Sequence, residues 1–174
     1  MERIPNELRE LRQWHCWKLV NGSKLPVQAN GAAAKSNDPD TWTDYKTASA
    51  AAENFAGLAF ELGDGGLCGI DLDECIGPDG VKAWAWPIIN RLDGVAYGEI
   101  SPSGTGIKFI TRGSKTVRRC IRKLGGKREQ MEIYDRRRFW TITADIYANM
   151  TKIRDGQQAI EWLCAEYLTD KPEP

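Results

Sequence analysis

Short apolar runs rich in aromatic and β-branched residues, separated by glycine-bearing turns, dominate this chain, and they predict strands. Trp14 to Val20 reads as a strand, with Lys24 to Gln28 pairing back across Asn21-Gly22. Gly57-Leu-Ala-Phe-Glu-Leu62 and Leu67-Cys-Gly-Ile-Asp-Leu-Asp73 read as two more, joined in a hairpin-like turn by Gly63-Asp64-Gly65-Gly66. Further strands are expected at Ala96–Ile100, Gly106–Thr111, Gln130–Tyr134 and Phe139–Thr143. Helical signals are fewer. Asn6 follows Pro5 as an N-cap for a short helix to Gln13, and Thr43 caps an alanine-rich helix to Phe55. Val81 to Leu92 predicts a helix disturbed at Pro87. Asp155 opens an amphipathic helix with Ile160, Leu163 and Tyr167 or Leu168 on one side. Strands in hairpin order with helices between them indicate an α+β domain.

At 174 residues the chain suits one domain, and 41% apolar with 28% charged residues is ordinary globular composition. No apolar run approaches the ~18 residues that span a bilayer, and Met1 to Gln13 is too charged for a secretory signal. Five widely spaced cysteines without a CxxC pair argue against a disulfide framework or a structural zinc, so a cytoplasmic setting is expected. Thr169 to Pro174 reads as a tail or the start of a linker, leaving residues 1–168 as the domain. The net charge of zero hides an asymmetry: residues 108–138 hold 12 Lys and Arg against 3 Asp and Glu, a balance of +9, between segments at −6 and −3. Such a run is either a solvated face or a polyanion-binding surface.

Three elements carry chemistry. Asp71 and Asp73 are two apart on one strand, so both carboxylates leave the same face. Held ~5–7 Å apart they repel unless a cation sits between them, and hard oxygen donors favour Mg²⁺ or Mn²⁺. A calcium loop fits poorly, since its twelfth position, Lys82, should be glutamate. Next, Ser101-Pro-Ser103-Gly104-Thr105-Gly offers hydroxyls and a backbone N–H nest for phosphate, with Lys108 as a point charge, or it is simply a glycine-rich turn. It is not a Walker A loop. Finally, Glu132 adds a third carboxylate, and Arg138 either holds a phosphate or pairs with Glu132 across strands.

In this order, DxD at 71–73, SPSGTGIK at 101–108, EIYD at 132–135 and RxxTIT at 138–143 resemble the archaeo-eukaryotic primase superfamily, and in particular the primase–polymerase domain of phage and plasmid replication proteins. Asn37-Asp38-Pro39, Thr41-Trp42, Ala48, Gly57-Leu-Ala-Phe60 and Gly69-Ile-Asp-Leu-Asp73 extend the likeness over residues 14 to 145. The resemblance implies the primase fold, with an RNA-recognition-like antiparallel sheet packed with helices and a small N-terminal αβ module. It implies two-metal nucleotidyl transfer on a single-stranded or primed DNA template, with Asp71, Asp73 and Glu132 catalytic and metal-binding. Ser101, Ser103, Gly104, Thr105, Lys108 and Arg138 would cradle an NTP or dNTP. A helicase domain or partner and a phage- or plasmid-encoded origin in a bacterial or archaeal host go with it. Lys108 stands where many relatives carry histidine, and lysine cannot titrate near neutrality as histidine does.

In the basic segment Arg112, Arg118, Arg119, Arg122, Lys123 and Lys127 are expected to track the template, and Trp14, Trp17 or Trp42 to stack a base or to serve the core. The lone histidine, His15, is expected to be structural. Two other readings compete. A non-catalytic nucleic-acid-binding module of the same fold is favoured by Lys108 and the short chain. A sugar transferase using DxD is weakened by the lack of an upstream nucleotide-binding βαβ unit.

Overall fold

A computed structural model describes residues 3–63 and 65–169; Met1, Glu2, Asp64 of the predicted turn and residues 170–174 of the tail lie outside the described residues. Two antiparallel sheets and four short helices make an α+β architecture. The elements are α1 (Asn6–Arg9), β1 (Trp14–Val20), β2 (Ser23–Val27), α2 (Tyr45–Ala51), β3 (Gly57–Leu62), β4 (Leu67–Asp73), β5 (Ile76–Gly77), β6 (Gly80–Val81), α3 (Trp86–Leu92), β7 (Tyr97–Ile100), β8 (Ile107–Arg112), β9 (Ile121–Lys123), β10 (Gln130–Tyr134), β11 (Arg138–Ile142), β12 (Ile146–Thr151) and α4 (Gln157–Leu163). No described helix is long and apolar enough to cross a membrane.

The strands sort into a four-stranded sheet, β11-β3-β1-β2, a six-stranded sheet, β12-β7-β8-β4-β10-β9, and the small β5-β6 hairpin. β3 and β4 therefore do not form the expected hairpin. Both are buried along nearly their whole length, on both faces, so each becomes a central strand with two partners: β3 between β1 and β11, β4 between β8 and β10. One face of the six-stranded sheet, with Ile70, Leu72, Phe109 and Ile133, packs on α3 and α4 through Ile88, Leu92, Ile160 and Leu163. The other face meets the four-stranded sheet, where Phe60, Leu62 and Trp140 lie against Leu67, Tyr97 and Ile110. Leu8 of α1 and Ala48 of α2 close the same core. Gly69 on β4 makes this approach possible: a Cβ there would stand 2.7 Å from Leu62 Cδ1 and 3.0 Å from the Trp140 ring.

Several local expectations shift for identifiable reasons. Asn6 lies inside α1, which ends at Arg9, and its side chain bonds Arg9. Asp44, not Thr43, caps α2 by accepting from Thr47 N at 2.9 Å, because Thr43 is bridged to Trp14 by two backbone hydrogen bonds. The predicted helix from Val81 starts only at Trp86, with Pro87 in the first turn, where a missing N–H costs nothing. The edge strands β9 and β12 lie outside the expected set: β9 is three residues long and exposed throughout, and β12 pairs with β7 through an irregular register. All five cysteines are free.

Candidate functional site

Antiparallel register builds the site. Glu99 on β7 lies opposite Lys108 on β8, Lys108 opposite Asp71 on β4, and Asp71 opposite Glu132 on β10. Directly paired residues share a face, so these four side chains form one row across the sheet. Asp73 and Gln130 form the next rung. The row faces the four-stranded sheet, from which Arg138 and Trp140 reach across. Lys108, only 6% exposed, donates to Asp71 Oδ2 at 2.7 Å and sits 4.0 Å above the Trp140 ring. Gln130 donates to Asp73 at 3.0 Å and Glu132 at 2.8 Å. Arg138 donates to Glu132 at 3.1 Å and stacks 4.4 Å from the Tyr134 ring centre. The Glu132–Arg138 pair thus forms as one of the two sequence alternatives, but between two sheets rather than between neighbouring strands.

These residues open onto a cavity of about 420 Å³ lined by Asp71, Asp73, Lys108, Glu132, Arg138, residues 139–141, Gly22 of the β1–β2 turn, and Ser23 and Lys24 at the start of β2. Burial and the adjacent Asp71 push the Asp73 carboxyl up to about 6. Glu99 accepts from Tyr97 Oη at 2.7 Å and from the amides of Thr143 and Ala144 at 3.0 Å; burial nevertheless raises its pKa to about 7. Lys24 is lowered by burial and by Lys108, against the pull of Asp71 and Asp73. Among the described residues no three His, Cys, Asp or Glu side chains are gathered as a metal-ligating cluster.

Asp71, Asp73, Glu132, Lys108 and Arg138 are therefore brought together. The serine-rich loop is not on the cavity wall: Ser101, Ser103 and Thr105 bond one another at 2.9 and 3.0 Å, and Gly104 takes a left-handed φ of 76°. Its Gly106 sits against the Leu72 carbonyl, at the Asp73 end of β4. The basic residues diverge. Lys123 pairs with Gln130 on the carboxylate face, whereas Arg122 pairs with Met131 on the helix face. Arg112 ends β8, bridged to Asp155; Arg118, Arg119 and Lys127 are exposed on the loops flanking β9. Trp14 and Trp17 are 0% and 7% exposed and belong to the core, not to a stacking surface. Partly exposed Trp42 donates to the Lys35 carbonyl. His15 is fully buried against Glu61, as a structural residue should be. Sequence reading missed Glu99, Lys24, Gln130 and Trp140. Glu99 alone left a signal, an acid two residues before the serine loop in a strand otherwise apolar.

The chain is similar to a phage DNA primase-polymerase. That relative, from Nitratiruptor phage NrS-1, is 29% identical over 166 residues, which cover 92% of this chain. The chain spans 23% of the relative's length. No family model matches the chain.

Proposed function

We propose that this chain is the nucleotidyl-transfer domain of a primase–polymerase, acting on a DNA template with NTPs or dNTPs in phage or plasmid replication. The observation that carries this reading is the grouping of Asp71, Asp73 and Glu132 on one sheet face, at the wall of a cavity that also holds three cations, Lys24, Lys108 and Arg138. Similarity over most of the chain to a protein named DNA primase-polymerase supports it.

The donor set fits Mg²⁺ or Mn²⁺: Asp71 Oδ1 is buried with no hydrogen-bond partner, the Asp73 carboxyl is raised by burial and then by the neighbouring Asp71, and all donors are hard oxygens. Asp71, Asp73 and Glu132 would hold the ions, which supply activation of a 3′-hydroxyl and neutralisation of departing pyrophosphate. The chain's own work is positioning. Lys108 and Arg138 hold the triphosphate, releasing Asp71 and Glu132 as they do so, and Gln130 keeps Asp73 and Glu132 at fixed spacing. Lys24 borders the cavity from the start of β2. Of the basic residues, Lys123 on the carboxylate face and the exposed Arg118, Arg119 and Lys127 are assigned to the template, while the serine loop, off the cavity wall, is given no part in holding the triphosphate.

One observation favours a non-catalytic module of the same fold: Lys108 already occupies Asp71 at 2.7 Å. Incorporation of labelled nucleotide on a primed template, with Mg²⁺ and Mn²⁺ separately, decides. Template-dependent synthesis lost in Asp71→Ala and Asp73→Ala supports the polymerase reading. Full synthesis by the double variant, or none by the wild type with either ion while DNA still binds, refutes it.

A further inference from the structure

A second cavity, of about 450 Å³, lies beyond the carboxylates along β10, lined by Lys115, Arg118, Cys120, Tyr134, Asp135 and Arg136 among others. Its wall is pinned on several sides. The Lys115 ammonium donates to the carbonyls of Arg118 (3.4 Å) and Arg119 (3.2 Å) and approaches Cys120 Sγ at 2.7 Å, closing the loop on itself. Lys115 N donates to Asp135 at 2.9 Å, Ile133 N to the Cys120 carbonyl at 2.8 Å, and Ser114 N to Gln157 at 2.9 Å. Three cations face one carboxylate, and that carboxylate is already engaged by Arg136 and the Lys115 amide. The Lys115 ammonium hydrogen-bonds neutral atoms and shares the field of the single Asp135 carboxylate with Arg136, so the cavity keeps an excess of positive charge. The pocket is a preformed positive concavity.

Its position gives the ligand. Tyr134 is a wall of this cavity and stands two residues beyond Glu132 on the same face of β10, about 7 Å away at strand rise. Arg138, stacked on Tyr134 and bonded to Glu132, separates it from the carboxylate cavity. We infer that this pocket is a phosphate site for the DNA strand, seating a backbone phosphate one step from the reacting centre. The inference rests on the template-directed reading above, and it adds Lys115 and Arg136 to residues that charge patterning alone had singled out.

Cys120 supplies an internal probe, because the other four cysteines are buried. In the intact protein, a saturating single-stranded oligonucleotide should slow iodoacetamide labelling of Cys120 several-fold, while a nucleoside triphosphate alone should leave it unchanged. Arg118→Gln with Arg136→Gln should lower the salt slope of oligonucleotide binding by roughly 0.7 per lost phosphate contact, with nucleotide affinity retained. Protection by the triphosphate but not by the oligonucleotide overturns the assignment, as does an unchanged slope in the double variant. Template-dependent synthesis with Cys120 unprotected removes this site alone; absence of any oligonucleotide binding removes it together with the template-directed reading.

Discussion

Lys108 offers the sharpest test of how the site is balanced. Its side chain is 8% exposed and the Asp71 carboxylate beside it 16%, so the pair is largely desolvated. Removing one partner of a fully buried pair costs ~3–5 kcal/mol because a charge is left uncompensated. Here Asp71 borders an open cavity, so the expected loss for Lys108→Met is smaller, ~2–3 kcal/mol. For a domain of this size, that is a fall in Tm of roughly 4–12 °C. The same change frees Asp71 Oδ2 beside the already unpartnered Oδ1, and removes the positive charge of Lys108 that acts on Asp73. A divalent cation should therefore bind Lys108→Met more tightly than wild type, since it need not displace the ammonium. At a hundredfold excess over Kd it would return ~2.7 kcal/mol. Thermal melts of both proteins in chelator and across a Mn²⁺ titration read this directly: the Tm gap should narrow as Mn²⁺ rises. A gap that is constant across the titration would refute the idea that Lys108 and a cation compete for Asp71.

Three further outcomes follow from particular contacts. Because the Asp73 carboxyl is raised to about 6, its neutral form is the stabilised one, so in metal-free buffer its contribution is full below about pH 4 and lost as pH rises through about 6. Asp73→Asn should accordingly gain Tm over wild type at pH 7.5 and little at pH 4.5, and saturating Mg²⁺ should shrink the gain. Gly69→Ala should cost ~1–3 kcal/mol by overpacking against Leu62 and Trp140, measured by urea denaturation, and should weaken nucleotide affinity by tilting the ring under Lys108. Lys123→Gln should flatten the salt dependence of single-strand binding more than Arg122→Gln, because only Lys123 shares the carboxylate face; equal effects would argue against that register.

What the chain determines locally is legible in its residues. The extents of β1, β3, β4 and β10 match the apolar runs, and the period of two places Asp71 and Asp73 on one face without any knowledge of the fold. The free state of the five cysteines also agrees with their number and spacing, and His15, expected to be structural, is buried. Strand pairing is different, because hydrogen-bond partners lie tens of residues apart and many pairings satisfy the same apolar pattern. Only the tertiary structure parts β3 from β4, sets β10 and β11 in separate sheets, and so lets Arg138 and Trp140 close over carboxylates carried by the other sheet. The same pairing adds Glu99 and Gln130 to the row and its next rung, and divides Arg122 from Lys123, while the packing of the two sheets brings Lys24 from the start of β2. A run of like charges specifies attraction to a polyanion, but which of its side chains share a face is decided by the register of one three-residue edge strand.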